Sequence, residues 1–323
     1  MKQKVKWGIL STSKIGREKV IPALQNAANC EVAGIASRNL ENATRTASDL
    51  NISKSYGSYE ELLTDPDIDA VYNPLPNHLH LEFTLKALKA GKHVLCEKPI
   101  GMNAAEAKIL MQESKKYPQL KVMEAFMYKF HPQWIKVKEL VKSGTIGKVK
   151  NIETTFTYNN KDEQNIRNIA SAGGGALMDI GCYCISFPRF ILDQEPIQVI
   201  GRQLINSVTK TDDLTSGMLL FEHNITASFT CSTKIFPYQR TLIFGDSGMI
   251  EIDLPCNTPL DEETKMSLQT ENGTEIFTFK ANQYILQCEA FADAILNDKK
   301  VPFILEDAYL NMKVIDEIKK SSV

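Results

Sequence analysis

The sequence predicts an α/β protein of two domains: an N-terminal doubly wound parallel sheet, then an α/β domain on a large open, mainly antiparallel sheet. Three observations predict it. Over residues 1–125 short apolar runs alternate with helical patterns, as in βαβ units. After about residue 145 strand-like segments follow one another with turn signals between them. The length, 323 residues, favours two domains.

The first domain has five nearly all-apolar runs: KVKWGILS, CEVAGIAS, DAVYNPLP, HVLCEKP and LKVMEAF. Apolar residues at successive positions suit strands buried on both faces. Helical patterns lie between them, near residues 15–28, 40–50, 58–64, 78–90 and 103–116. PDID and KAGKH are turn signals ahead of two of the strands. In the second domain, 126–323, KVKNIETTFTYNN alternates, and SAGGG leads into the apolar stretch ALMDIGCYCISFPRFIL. Between 196 and 280 come IQVIGRQLI, LTSGMLLFE, ITASFTCST, RTLIFGDSGMIEIDL, KMSLQT and EIFTFK. EHN, GDSG and ENGT mark hairpins. Two helices close the chain near 283–297 and 306–321, and the last is expected to pack back on the first domain. The boundary is a change of pattern, without a repeat or a low-complexity linker.

Composition narrows the function classes. Net charge is −2 with 24% charged residues and no basic block, which argues against a nucleic-acid partner. The apolar runs fall short of the ~18 residues of a membrane span. The N-terminus, MKQKVKWGIL, enters a strand without a signal-peptide pattern, so the expected compartment is the cytoplasm. Seven scattered cysteines read as buried free thiols of a reducing compartment. Cys182 and Cys184, at i and i+2 of a helix, point apart and make no metal pair. No metal site is expected.

The turn after the first strand carries the first chemical signal. Ser11-x-Ser13-x-x-Gly16 has the spacing of G-x-G-x-x-G, with serine at two glycine positions. Ser11, Thr12, Ser13 and Ile15 are the candidate cofactor contacts there. A phosphate needs backbone N–H groups, a helix N-terminus and small side chains. Gly16 keeps the position of closest helix–strand packing. A plain βα turn reads the same in isolation. The second strand supplies a test, because an NAD site places Asp or Glu at its end. Here Ser37 and Arg38 follow, and no acid appears until Glu41. A hydroxyl beside a guanidinium suits a 2′-phosphate and favours NADP over NAD, although an exposed Arg after a strand is common.

Two further segments, YNPLPNHLH and CEKP, end strands and so point at the ligand crevice of an open α/β sheet. Pro74, Asn77, His80, Glu97 and Lys98 are candidates to contact the cofactor. His78 and His80 lack a third metal ligand, and Asn77 is placed to cap a helix starting at His78. Lys98, held between Glu97 and Pro99, reads either as a salt-bridged lysine at the sheet edge or as a cation beside a nicotinamide. Pro99 is a candidate cis proline.

Asp179 and Tyr183 stand at i and i+4, on one face of a helix that Gly173–Gly175 open. A buried helix with one bonded Asp and one packed Tyr has the same pattern. Taken together, GILSTSKIG, ASR, PNHLH, EKP and GGGALMDIGCY, in this order, resemble the glucose–fructose oxidoreductase/inositol dehydrogenase/MocA family over essentially the whole chain. The branch most similar is that of the dimeric dihydrodiol dehydrogenases and NADP-dependent xylose dehydrogenases. The resemblance implies a Rossmann domain, an α/β domain with a large open sheet, and NAD(P)-dependent oxidation or reduction of sugars, polyols or diols. It implies Lys98, Asp179 and Tyr183 as catalytic residues, with Tyr183 where many members have histidine, which makes an inositol-type substrate less expected. In that scheme Tyr183 takes the proton of a substrate hydroxyl, and Lys98 stabilises the phenolate.

Tyr128, Lys129 and His131, from EAFMYKFHPQW, are candidate substrate contacts beside Asp179 and Tyr183; hinge packing is the other reading. A homodimer through the second sheet is expected from its bare, partly apolar face. Rival classes are a non-catalytic NADP-binding regulator and a glycosidase using NAD transiently.

Overall fold

A computed structural model describes residues 4–162 and 164–321. Its elements run β1 (Val5–Leu10), α1 (Ile21–Asn26), β2 (Cys30–Ala36), α2 (Leu40–Asp49), β3 (Lys54–Tyr56), α3 (Tyr59–Thr64), β4 (Ala70–Asn73), α4 (His80–Lys89), β5 (His93–Cys96), α5 (Ala104–Ser114) and β6 (Val122–Glu124). There follow α6 (Pro132–Lys142), β7 (Val149–Asn159), α7 (Cys182–Leu192), β8 (Gln198–Ile205), β9 (Asp212–Leu220), β10 (Thr226–Ser232), β11 (Lys234–Gly245), β12 (Gly248–Ile252), β13 (Thr264–Thr270), β14 (Gly273–Phe279), α8 (Gln283–Leu296) and α9 (Leu305–Ser321). Two compact units emerge: the chain up to Met127 with Gln283–Tyr309, and Tyr128–Asn282 with the chain from Leu310.

The first unit holds a six-stranded parallel sheet of order β3-β2-β1-β4-β5-β6. The order reverses direction between β1 and β4, the switch point where ligands of such sheets bind. Ile9, Ile35, Val71, Val94 and Leu95 are fully buried, as strands covered on both faces require. The helix α8 returns to this unit, packed on α1, β1 and β2, and residues 305–309 at the start of α9 belong to it as well. The Phe291 ring meets the Trp7 ring 5.7 Å away, so the apolar face of α8 completes the β1 side of the core.

The second unit holds an eight-stranded sheet of order β14-β13-β12-β11-β7-β10-β9-β8, antiparallel except for β7 with β10. Alternation sorts its faces. Ile152, Phe156, Ala227, Phe229, Cys231 and Leu219 are buried under α7 and the turn before it, while Glu153, Ser228, Met218 and Ile200 are exposed on the other side. The three expected hairpins are present at β9–β10, β11–β12 and β13–β14.

The expectation that no segment is long and apolar enough to span a membrane needs correction. Ala170–Leu192 meets that test by length and composition, and 83% of its apolar window is buried, as for a core helix. All seven cysteines are free and buried, as expected.

Candidate active site

In the first unit the turn after β1 is a dinucleotide-type turn built with serine. Ser11 adopts φ 146°, a region in which a Cβ is strained and glycine is not. This is the first glycine position of the motif. The Ser13 hydroxyl accepts the Gly16 N–H at 3.3 Å, and the Ser13 carbonyl accepts the Arg17 N–H at 3.0 Å. Ser13 therefore caps the helix that continues into α1. Lys14 and Ile15 lie in its first turn, whose N–H groups have no intrahelical acceptor, the arrangement that receives a phosphate. Thr12 gives its carbonyl to Arg17 Nε at 3.1 Å. Gly16 departs from expectation: a Cβ there would lie 3.2 Å from Ser13 Oγ and 3.9 Å from Tyr72 Cε1. The capping serine, not the strand, sets that constraint.

At the end of β2, Ser37 is buried, donates its N–H to the Tyr56 carbonyl and accepts the Asn39 N–H at 3.3 Å. Arg38 is exposed and hydrogen-bonds the Tyr59 phenol, whose pKa is pushed up by burial and held back by that guanidinium. Neither Ser37 nor Arg38 is replaced by a carboxylate that would repel a 2′-phosphate. With the first-turn N–H groups, these residues fit a dinucleotide carrying that phosphate.

The ends of β4 and β5 are tied together. Glu97 accepts the Tyr72 hydroxyl at 2.7 Å on Oε1 and the Lys98 N–H at 3.2 Å on Oε2, and gives its own N–H to the Asn73 carbonyl at 3.0 Å. Pro74 is buried beside Asn73, whose Oδ1 accepts the Leu75 N–H at 3.3 Å. Lys98 is half-buried, and the Lys98–Pro99 bond is cis, as expected. Asn77 does not cap a helix: Asn77–Leu79 is a turn of 3-10 helix preceded by Pro76, α4 begins at His80, and neither start has a side-chain cap. His80 is fully buried, with Nδ1 2.8 Å from the Pro99 carbonyl and Nε2 2.7 Å from the Leu75 carbonyl. Burial drives the ring pKa down to about 4 against the pull of those two carbonyls. A neutral ring can donate to only one of them, so the second contact has to open or hold a second proton. His80 thus ties the loop after β4 to the loop after β5 through the Leu75 and Pro99 carbonyls.

In the second unit the glycine run makes a close backbone crossing. Gly173 and Gly175 have φ 83° and 111°, and a Cβ on Gly174 would lie 2.4 Å from the Arg167 carbonyl oxygen. The helix then starts as a π-turn, Leu177–Gly181, before α7. The expected regular i, i+4 helix is thereby widened around Asp179, as π-turns often are at functional positions. Asp179 Oδ2 accepts Tyr158 Oη at 2.5 Å and lies 2.8 Å from Arg167 Nε. Burial, and then the Asp179 charge, push the Tyr158 phenol far up. Tyr183 is 5% exposed, its ring within 6.0–6.3 Å of Tyr128, Phe156 and Phe187.

The three expected substrate contacts from EAFMYKFHPQW are packed in this core. Tyr128 is fully buried, its hydroxyl 2.7 Å from Ser186 Oγ and its ring edge-on to Trp134 and Phe187. Lys129 is 5% exposed, its ammonium 5.9 Å from the Phe190 ring. His131 is fully buried and caps α6, Nδ1 accepting the Gln133 N–H at 3.2 Å. The buried Nε2 of His131 has no hydrogen-bond partner among the described residues. Conversely, sequence reading missed Tyr158, which sits in a strand whose polar and apolar positions alternate without marking it, and Arg167, in a loop with no periodicity. Among the described residues no group of three His, Cys, Asp or Glu is placed to hold a metal.

Comparison with known proteins agrees with this layout. Residues 5–126 match the oxidoreductase family with an NAD-binding Rossmann fold, and residues 134–251 match the GFO/IDH/MocA C-terminal domain. The chain is 34% identical to D-xylose 1-dehydrogenase (NADP(+)) 2 of Haloferax volcanii, covering 98% of this chain and 97% of that one. It is 36% identical to trans-1,2-dihydrobenzene-1,2-diol dehydrogenase of Xenopus laevis, over 76% and 74% of the two chains. The crystal structure of KijD10, a 3-ketoreductase from Actinomadura kijaniata in complex with NADP and TDP-benzene, superposes with a TM-score of 0.91 at 28% identity, over 99% of this chain and 98% of that one. Two matched domains and near-full-length identity place the chain in the GFO/IDH/MocA family of oxidoreductases.

Proposed function

We propose that the protein transfers a hydride between NADP(H) and a carbinol or carbonyl carbon of a sugar, polyol or related diol. The observation that carries this reading is the π-turn that presents Asp179, held by Tyr158 and Arg167, one turn ahead of Tyr183. The relatives named for D-xylose and for a dihydrobenzenediol, and the neighbour named as a 3-ketoreductase, support the substrate class. The Ser37–Arg38 pair and the Ser13-capped helix support NADP. When bound, the nicotinamide accepts or returns the hydride. In oxidation Tyr183 removes the substrate hydroxyl proton, and in reduction it returns one. Lys98, on a backbone fixed by Glu97 and Pro99, is the cation assigned to offset negative charge developing on the substrate oxygen. Asp179 accepts a hydrogen bond from a substrate hydroxyl. Ser11, Thr12, Ser13 and Ile15 hold the phosphates, and Ser37 and Arg38 hold the 2′-phosphate.

The exposed face of the second sheet, with Ile200, Met218 and Leu204 among its apolar residues, is the surface we assign to a homodimer. Seven unpaired thiols favour the cytoplasm. The test of function is the absorbance of reduced nicotinamide with NADP+ or NAD+ and a panel of aldoses and cyclic diols. Turnover with NADP+ on at least one is expected. Tight NADP+ binding without turnover on any would favour the regulator.

A further inference from the structure

The segment that carries Asp179 and Tyr183 starts without a cap of its own: neither the π-turn nor α7 has a side-chain bond at its N-cap. Its anchor comes from a strand. Asp212, the first residue of β9, accepts the Leu177 N–H at 2.8 Å on Oδ2, two residues before Asp179. Thr215 Oγ1 donates to the same oxygen at 2.5 Å, and Thr215 is fully buried. Oδ1 lies against the glycine run, where a Cβ on Gly175 would be 2.1 Å away. Asp212 itself is 5% exposed. Burial pushes its carboxyl pKa up, and the Thr215 and Leu177 donors work against that rise. A carboxylate at a helix N-terminus meets both unpaired N–H groups and the positive end of the helix dipole.

We propose that Asp212 is a positioning residue: it sets where the π-turn begins and so holds Asp179 and Tyr183 in their working orientation. The proposal rests on the catalytic reading given above for those two residues. The widened turn has fewer constraints than an α-helix, so a fixed first N–H decides its register. Gly175 is then required not only for its φ but because any side chain would expel the Asp212 carboxylate.

The test compares Asp212→Ala and Asp212→Asn in the full chain. Asn keeps an oxygen for the Leu177 N–H, and Ala keeps nothing. Asp212→Ala should lower kcat about 30- to 100-fold, the scale of an ångström-size misplacement, with KM for NADP+ within about two-fold. Asp212→Asn should return kcat to within about five-fold of wild type, since Asn and Asp cap comparably. Hydrogen exchange, which needs no turnover, should show the amides of 177–183 exchanging at least about ten-fold faster in Asp212→Ala and near wild type in Asp212→Asn. An Asp212→Ala protein with wild-type kcat and wild-type exchange at 177–183 overturns the proposal, as does an Asn variant impaired as much as Ala. Should Asp212→Ala fail to fold, Thr215→Val, which removes only the hydroxyl from the same oxygen, must still speed exchange at Leu177; unchanged exchange there overturns it too. Wild-type protein inert on every sugar would count against the activity, while the exchange comparison still judges Asp212.

Discussion

Tyr158 donates its hydroxyl to Asp179 Oδ2 at 2.5 Å, and Arg167 Nε shares that oxygen at 2.8 Å. The second unit thus holds two phenols, Tyr158 and Tyr183, close to Asp179 in space or in sequence, in different environments. Burial and the neighbouring negative charge raise the Tyr158 pKa, so it stays a hydrogen-bond donor throughout the accessible pH range. In the mechanism we propose, Tyr183 is the proton carrier. Tyr183→Phe should lower kcat a hundred- to ten-thousand-fold, the scale of lost general acid–base catalysis. Tyr158→Phe should lower it about ten-fold, since one charge-assisted bond of roughly 1.5 kcal/mol is lost while Arg167 remains. Steady-state kinetics with NADP+ and the best sugar measure both. Equal losses would reassign the acid–base role.

Arg38 is exposed at the end of β2, beside buried Ser37 and in reach of the Tyr59 phenol. A guanidinium there gains a charge-assisted hydrogen bond from a ligand with a phosphate at the ribose. Arg38→Ala should raise the Kd of NADP+ about 10- to 100-fold, the worth of a hydrogen bond to a charged group, and leave the Kd of NAD+ within about two-fold. Quenching of protein fluorescence on titration reports both. A parallel loss for the two dinucleotides would move the 2′-phosphate site away from Arg38.

Ser11 at φ 146° places a side chain where glycine is at ease. Such strain costs of order 1–3 kcal/mol. Glycine at this position relieves it but adds about 0.5–1 kcal/mol of unfolded-chain entropy. Ser11→Gly should therefore stabilise the first unit by about 1 kcal/mol, which moves its unfolding midpoint up by about 2–4 °C. Ser11→Ala keeps the Cβ and should gain nothing. Thermal denaturation followed by circular dichroism separates the two variants.

These residues also show what sequence reading can and cannot reach. The parallel sheet was legible because strands such as Val5–Leu10 and Cys30–Ala36 are apolar at nearly every position, a pattern that burial on both faces imposes. The three-residue β3, KSY, carries no such run. The Ser11, Arg38, Lys98, Asp179 and Tyr183 positions could be singled out as candidates because each sits at a fixed offset from a strand end or a glycine run. Tyr158, Arg167 and Asp212 were not, because each acts across the sheet or loop on a residue 12 to 35 positions away along the chain. Tyr128 and His131, polar groups after a strand end, imply a site in the same way; their partners, Ser186 for the Tyr128 hydroxyl and the α6 N-terminus for His131 Nδ1, could not be read from the sequence, and the buried His131 Nε2 has no hydrogen-bond partner among the described residues.

His131 gives a pH dependence with a definite sign. It is fully buried, and its Nδ1 accepts the Gln133 N–H, so the folded protein holds the ring neutral with the proton on Nε2. Burial lowers its pKa from 6.5 to about 4. Between those values the unfolded chain binds a proton that the folded chain does not, so stability falls as pH falls through this window. The loss is about 2 kcal/mol by pH 5 and roughly 3 kcal/mol below pH 4. Asn at this position offers an oxygen to the same N–H and has no proton to gain. Urea denaturation at pH 7 and pH 5 should show wild type losing about 2 kcal/mol more than His131→Asn, with carboxylate contributions common to both. Identical losses would mean that the imidazole is protonated at little cost, and that the α6 cap does not depend on its lone pair.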